Sequence, residues 1–171
     1  PLDIPGADLK HVYSAGRITR LLNGHPDERD DDGGLTDNPA LGSRVAVIGQ
    51  GNVAIDVLRL LACDAQSLDG SDIDDSAYTP LRQDISRIDI IGRSTAGTAK
   101  FDPVMIREVG RMTGLVHELH GVDLSTRVPG KDAKLDALAE LTDVTPSPAA
   151  IDAIHVHWWF ESTPEALTGD G

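Results

Sequence analysis

Six consecutive residues, Gly49-Gln50-Gly51-Asn52-Val53-Ala54, carry the spacing G-x-G-x-x-A. Glycine at the first position permits a tight turn, and glycine at the third lets a phosphate approach the backbone with no Cβ in the way. Ala54 allows a helix to pack close to the strand before it. The N-terminus of that helix offers free N–H groups and a partial positive charge, so the chemistry is binding of a dinucleotide's pyrophosphate. A second cluster, Gly92-Arg93-Ser94-Thr95, bears on which dinucleotide. An acid at the end of the second strand would bond a ribose 2′-hydroxyl; here Arg93 offers a cation and Ser94 a hydroxyl to a 2′-phosphate. NADP is favoured over NAD. Arg93 lies further from the glycines than the usual ~20 residues, and an acidic insertion accounts for the excess.

These residues need elements to hold them. Arg44–Ile48 is a short apolar run, as expected of a strand buried on both faces of a sheet. The spacing of Val53, Ala54, Val57, Leu58, Leu60 and Leu61 predicts an amphipathic helix directly after the glycines. Residues 64–80 read as an acidic, turn-rich insertion with one short helical stretch. Ser86–Ile91 is the second strand. Asp102-Pro103 reads as an N-cap and first helical residue, opening a helix to about Met112. Leu115–Leu119 is a third strand, Leu135, Leu138 and Leu141 mark a further helix, and residues 153–160 alternate with a period of two, as a strand does. Strands alternating with helices predict an α/β fold, a Rossmann-like parallel sheet with flanking helices. Residues 1–24 read as short apolar pieces punctuated by Pro5, Gly6 and Gly16. The five acids within Asp27–Asp32, followed by a glycine pair, read as a solvated loop.

Composition narrows the function classes. The 171 residues suit one domain, and a net charge of −13 repels phosphate backbones, so no nucleic-acid partner is expected. No apolar run is long enough for a membrane span. The single cysteine, Cys63, forms no internal disulfide and reads as a small buried hydrophobe; the default setting is cytoplasmic. His117 and His120 have no third ligand near them in sequence, so no metal is expected there. His155 and His157 share one strand face with Trp159 and read as facing solvent or a partner domain. Lys100 reads as an exposed lysine that can add positive charge near the glycines.

The string from Val47 to Val57, with Arg59 and Leu60 after it, resembles the NADP-binding signature of adrenodoxin reductase-like ferredoxin–NADP reductases. Ile4-Pro5-Gly6, Val12-Tyr13-Ser14-Ala15 and Asn23-Gly24-His25-Pro26 are similar to that family's approach to the same domain. Gly92-Arg93, Phe101, Arg107-Glu108 and Phe160-x-Ser162-x-Pro164 continue the likeness, which covers most of the chain. The resemblance implies a flavoprotein with FAD on one dinucleotide-binding domain and NADPH on the other, passing electrons to a ferredoxin or another iron–sulfur protein. It implies that Gly49, Gln50, Gly51, Asn52 and Val53 form the pyrophosphate loop. It also implies that Arg93 is the first member of an arginine pair on the 2′-phosphate and that Glu108 lies near the nicotinamide–flavin junction. Two positions depart from the family pattern: Ser94 replaces the second arginine, and Met105 replaces a glutamate facing the cofactor. Without the family, Glu108 reads equally as a helix glutamate paired with Arg111.

The chain has no second glycine motif for FAD, so it reads as a single excised NADP-binding domain. Its expected parts are an approach segment and acidic loop over 1–42, the Rossmann-like domain over 43–165, and a tail over 166–171 leading to the FAD domain. The chain alone is then not expected to be active. Two alternatives stand beside this reading. In one, the weakened clamp marks a degenerate nucleotide-binding fold serving as an interaction or structural module. In the other, the acceptor differs, because acidic ferredoxins are repelled by a domain this acidic unless the other half is basic.

Overall fold

The computed structural model describes residues 2–32, 35, 41–63, 70–143 and 153–169. Four strands, β1 (Arg44–Ile48), β2 (Arg87–Ile91), β3 (Leu115–His120) and β4 (Ile154–Trp159), form one parallel sheet in the order β1-β2-β4-β3. Five helices accompany them: α1 (Ala15–Leu22), α2 (Asn52–Ala62), α3 (Asp75–Arg82), α4 (Pro103–Gly110) and α5 (Ala133–Asp143). The expected α/β, Rossmann-like architecture is present, and the expected strands and helices fall within a few residues of their places.

All five helices and one face of the sheet share a single core, in which Ile55, Leu58, Ile88, Ile90, Ile106, Leu138, Val156 and Trp158 are fully buried. Period-two alternation sends Asp89, His157, Trp159, Glu118 and His120 to the opposite face, which contributes nothing to that core. The expectation that β1 is buried on both faces is therefore corrected. Arg44 and Ala46 are exposed and Val45, Val47 and Ile48 only half-buried, because β1 lies at one edge of the described sheet and the described helices cover only one side.

Two further corrections concern the N-terminal region. Ser14 caps α1 by accepting from the Arg17 N–H, and Ile18, Leu21 and Leu22 enter the core. The sequence reading places no helix there. In the acidic loop, Glu28 is buried, held by Arg17 (3.3 Å) and Arg20 (2.9 Å). Its acids are thus not uniformly solvated: Glu28 anchors a 3₁₀ turn against α1 while Asp31 and Asp32 stay exposed.

Candidate dinucleotide-binding site

The carboxyl ends of β1, β2 and β4 meet at one edge, and hydrogen bonds hold the departing loops side by side. Gly49 N–H donates to Ile91 O (2.8 Å) and Gly92 N–H to Trp159 O (3.0 Å). Gly49 has φ 123°, a conformation that a side chain resists, and the place of its missing Cβ is open space. This is a glycine cradle in the strand–turn–helix position where α/β sheets bind nucleotides.

The helix after the cradle differs from its neighbours. Ser14, Asp74 and Asp102 cap α1, α3 and α4 with side-chain oxygens, and Asp132 accepts from Lys134 N–H at the start of α5. The cap of α2 is Gly51, which has no side-chain oxygen to give. The N–H groups of Asn52 and Val53 therefore point out of the helix without a side-chain partner, available to an anion.

Gln50 is a brace rather than an outward-facing ligand. It is buried, its Nε2 donates to Trp159 O (2.9 Å), and its Oε1 has no partner among the described residues. A Cβ on Gly92 would sit 2.3 Å from that Oε1, so Gly92 is the residue that makes room for Gln50. Asn52 also works sideways: its Oδ1 accepts from the Asp102 N–H (2.8 Å), tying the loop before α4 to the start of α2. Val53, at 64% exposure, is an apolar side chain facing out beside the cradle.

Arg93 directly follows Gly92, is exposed, and pairs with none of the described residues. Ser94 next to it is half-buried, and its carbonyl accepts from Glu161 N–H (3.1 Å). Glu161 has φ 51°, which makes it the one non-glycine with positive φ among the described residues. That conformation costs about 1–2 kcal/mol, and the Ser94 contact together with Ser162 N–H to Gly92 O (2.9 Å) holds it. Lys100 is exposed, and its Cβ lies 3.9 Å from where a Cβ on Gly51 would be. The fold thus brings a second cation to the cradle.

Glu108 stands apart from the glycines, on α4. Its partner is Arg59 of α2 (3.4 Å), which also reaches Asp56 (3.7 Å), so pairing with Arg111 is not what the structure shows. Glu108, Val53, Arg59, Leu60, Cys63 and Met112 line an open groove of about 950 Å³ along α2 and α4. Met105 packs against the core, where a thioether suits the site better than a carboxylate. Cys63 is half-buried at the end of α2, with Sγ 3.2 Å from Tyr78 Oη.

The residues at the cradle that sequence reasoning missed are bracing ones: Gly92 for its packing, Glu161 for its backbone, and Lys134. Lys134 Nζ donates to Ala99 O (2.5 Å) and steadies the loop between Arg93 and α4. Only an invariant glycine or an unusual φ in known relatives would have signalled the first two.

No protein-family model matches the chain. Cindoxin reductase of Citrobacter braakii is 41% identical over 169 residues, spanning 94% of this chain and 34% of that protein. NADPH-ferredoxin reductase FprA of Mycobacterium leprae is 33% identical over 156 residues, 86% of this chain and 33% of that protein. The chain belongs to the adrenodoxin reductase-like ferredoxin–NADP reductases. NADPH:adrenodoxin oxidoreductase of Bos taurus shares 34% identity over 114 residues, 66% of this chain and 22% of that protein. The solved structure of Mycobacterium tuberculosis FprA in complex with NADPH superposes with a TM-score of 0.79 at 29% identity, over 99% of this chain and 38% of that one. The chain spans about a third of the length of the cindoxin reductase and of the two FprA proteins.

Proposed function

We propose that this chain is the NADPH-binding part of a flavin-dependent ferredoxin–NADP reductase and presents the nicotinamide to an FAD held by the remainder of a longer polypeptide. The observation that carries the reading is α2, the helix without a side-chain cap, opening behind Gly49 at φ 123° and beside Arg93, which pairs with none of the described residues. Gly49 and Gly51 admit the pyrophosphate, and the Asn52 and Val53 N–H groups receive its charge. Arg93 and Ser94 take the 2′-phosphate, and Lys100 supplies a second positive charge. NADPH held by these residues would supply a hydride to a flavin on the remainder of the polypeptide.

Glu108 acts along the α2–α4 groove, where its pairing with Arg59 holds the carboxylate on a wall that Val53 also lines. Leu167 N–H donates to Pro5 O (2.8 Å), so the stretches near residues 5 and 167 run side by side. That closeness supports a division into an approach segment (1–42), the nucleotide-binding body (43–165) and a return (166–171) to the flavin part. An iron–sulfur protein is the acceptor this family points to, and the setting proposed for it is cytoplasmic. Among the described residues no helix is long and apolar enough to cross a membrane.

Calorimetric titration of the chain with NADP⁺ and NAD⁺ at low salt tests the reading. NADP⁺ is expected to bind more tightly, and Arg93→Ala to weaken it roughly 10- to 100-fold, the worth of one hydrogen bond to a charged group, while NAD⁺ is unaffected. Equal affinities that ignore Arg93→Ala refute the clamp. Ser94 in place of a second arginine and the core packing of Met105 favour a second reading, a degenerate fold used as an interaction module. Failure of a flavin-loaded longer form to bind NADP⁺ would select it.

A further inference from the structure

The polar face of the sheet carries a cluster that the nucleotide site does not use. Parallel pairing places Glu118 of β3 opposite His157 of β4, and His120 opposite Trp159. His120 Nε2 lies 3.0 Å from His157 Nδ1. One carboxylate oxygen of Glu118 is 3.7 Å from the first nitrogen, and the other is 3.5 Å from the second. These three residues offer ligand atoms that all lie within 4.8 Å of one another. His117, three residues before His120, projects to the opposite face and takes no part.

We infer that Glu118, His120 and His157 form a site for one divalent transition-metal ion of the zinc type. Two imidazoles and a carboxylate are the donor set such ions take, whereas calcium and magnesium call for oxygen alone. A tetrahedral ion with bonds of about 2.0–2.1 Å holds its ligand atoms about 3.3 Å apart. The ring nitrogens stand 3.0 Å apart and each has a Glu118 oxygen within 3.7 Å, so a rotation of the exposed Glu118 carboxylate brings one oxygen towards that edge from both nitrogens. Water completes the fourth position.

The surroundings fit this use. All three ligands stand on strands, whose backbones are fixed by the sheet, so little ordering is needed on binding. The neighbouring cation Arg87 is held by Asp89 (2.6 and 2.8 Å), and Asp89 also accepts from Trp159 Nε1 (2.7 Å). Asp89 thus offsets part of the Arg87 charge that reaches His157. Trp159 stacks on the His120 ring at a centroid distance of 3.9 Å, which places an indole reporter against the site.

Titration of the 171-residue chain with ZnCl₂ by calorimetry, and with CuCl₂ while following tryptophan fluorescence, tests the inference. One equivalent of Zn²⁺ is expected to bind, and one equivalent of Cu²⁺ to quench fluorescence in a manner that EDTA reverses and that prior loading with Zn²⁺ shifts to higher Cu²⁺ concentration. His120→Gln and His157→Gln should each weaken binding at least tenfold. Glu118→Gln, at an exposed position that leaves folding undisturbed, should weaken it several-fold. His25→Ala and His155→Ala should change nothing, and Trp159→Phe should abolish most of the quenching while keeping the calorimetric stoichiometry. Absence of saturable one-to-one binding, or affinity that survives Glu118→Gln together with either histidine change, overturns the site.

Discussion

Trp158 and Trp159 are neighbours in β4, yet they belong to two different environments. Trp158 is fully buried among Ile88, Ile90 and Val156, and its Nε1 donates to His117 Nδ1 (3.3 Å). Trp159 lies on the other face, where its Nε1 donates to Asp89 and its ring stacks on His120. One face is held by burial of apolar area under helices, and the other by a chain of directional polar contacts running from Arg87 through Asp89 and Trp159 to His120, His157 and Glu118. The lesson is that this parallel sheet is apolar on one side only. Parallel sheets usually have both faces covered, and here the described helices supply one cover.

The largest effect that sharpens the contrast is expected from Trp158→Ala, which should cost about 3–5 kcal/mol in urea unfolding by leaving a cavity in the core. A loss below about 1 kcal/mol would break the comparison at its root. Next comes pH. The apolar face also holds a polar pair, Trp158 with His117, and the Nε2 of His117 is buried without a partner among the described residues; burial depresses its pKa to about 4. The folded state binds this proton less readily than the unfolded chain does. Stability from His117 is therefore fully present above about pH 6.5 and lost as pH falls towards 4, by about 3 kcal/mol in total. Carboxylates such as Asp136 also lose stability on acidification, their pKa values being lowered mainly by a hydrogen bond from Arg127. The difference between the protein and His117→Gln, measured across pH 4–7, isolates the histidine; identical pH profiles would contradict its burial.

At the edge where the two faces meet the nucleotide loops, Gly92→Ala should cost about 1–3 kcal/mol by overpacking, because the new Cβ falls on the Gln50 side chain. Adding Gln50→Ala should recover much of that loss, a coupling that unfolding of the double variant measures. Simple additivity would show that the two residues do not share the space. The smallest effect is expected on the polar face. Trp159→Phe removes one hydrogen bond to Asp89, which keeps Arg87, and should cost about 1 kcal/mol by thermal unfolding. On that face, burial works against the charge on Asp89, but the bonds from Arg87 and Trp159 outweigh it and hold its carboxyl below the ordinary value. For His157 burial acts alongside Arg87, and both lower its pKa.

Much of the site was legible because its requirements are local. A turn with positive φ at Gly49 and a small residue at the α2 cap are written within three residues, and the arginine after the second strand is read from the two residues that end that strand. The strand over residues 154–159 announced its alternation, and Asp102-Pro103 its helix start. Helix α1 went unread because its apolar residues Ile18, Leu21 and Leu22 span little more than one turn among polar neighbours. The burial of β1 was misjudged because a run of apolar residues says nothing about how many layers cover it.

The sequence by itself determined the order of elements, the glycine cradle and the candidate cofactor residues, since each follows from backbone sterics or periodicity over a short window. Tertiary structure decided the rest. It put Lys100 beside Gly51, paired Glu108 with Arg59 rather than Arg111, seated Gln50 over Gly92, and separated His117 from His120 while joining His120 to His157. Those contacts run between residues that are far apart in the chain or depend on which face a strand presents. They are set by strand order, register and layer packing, which a single sequence does not record.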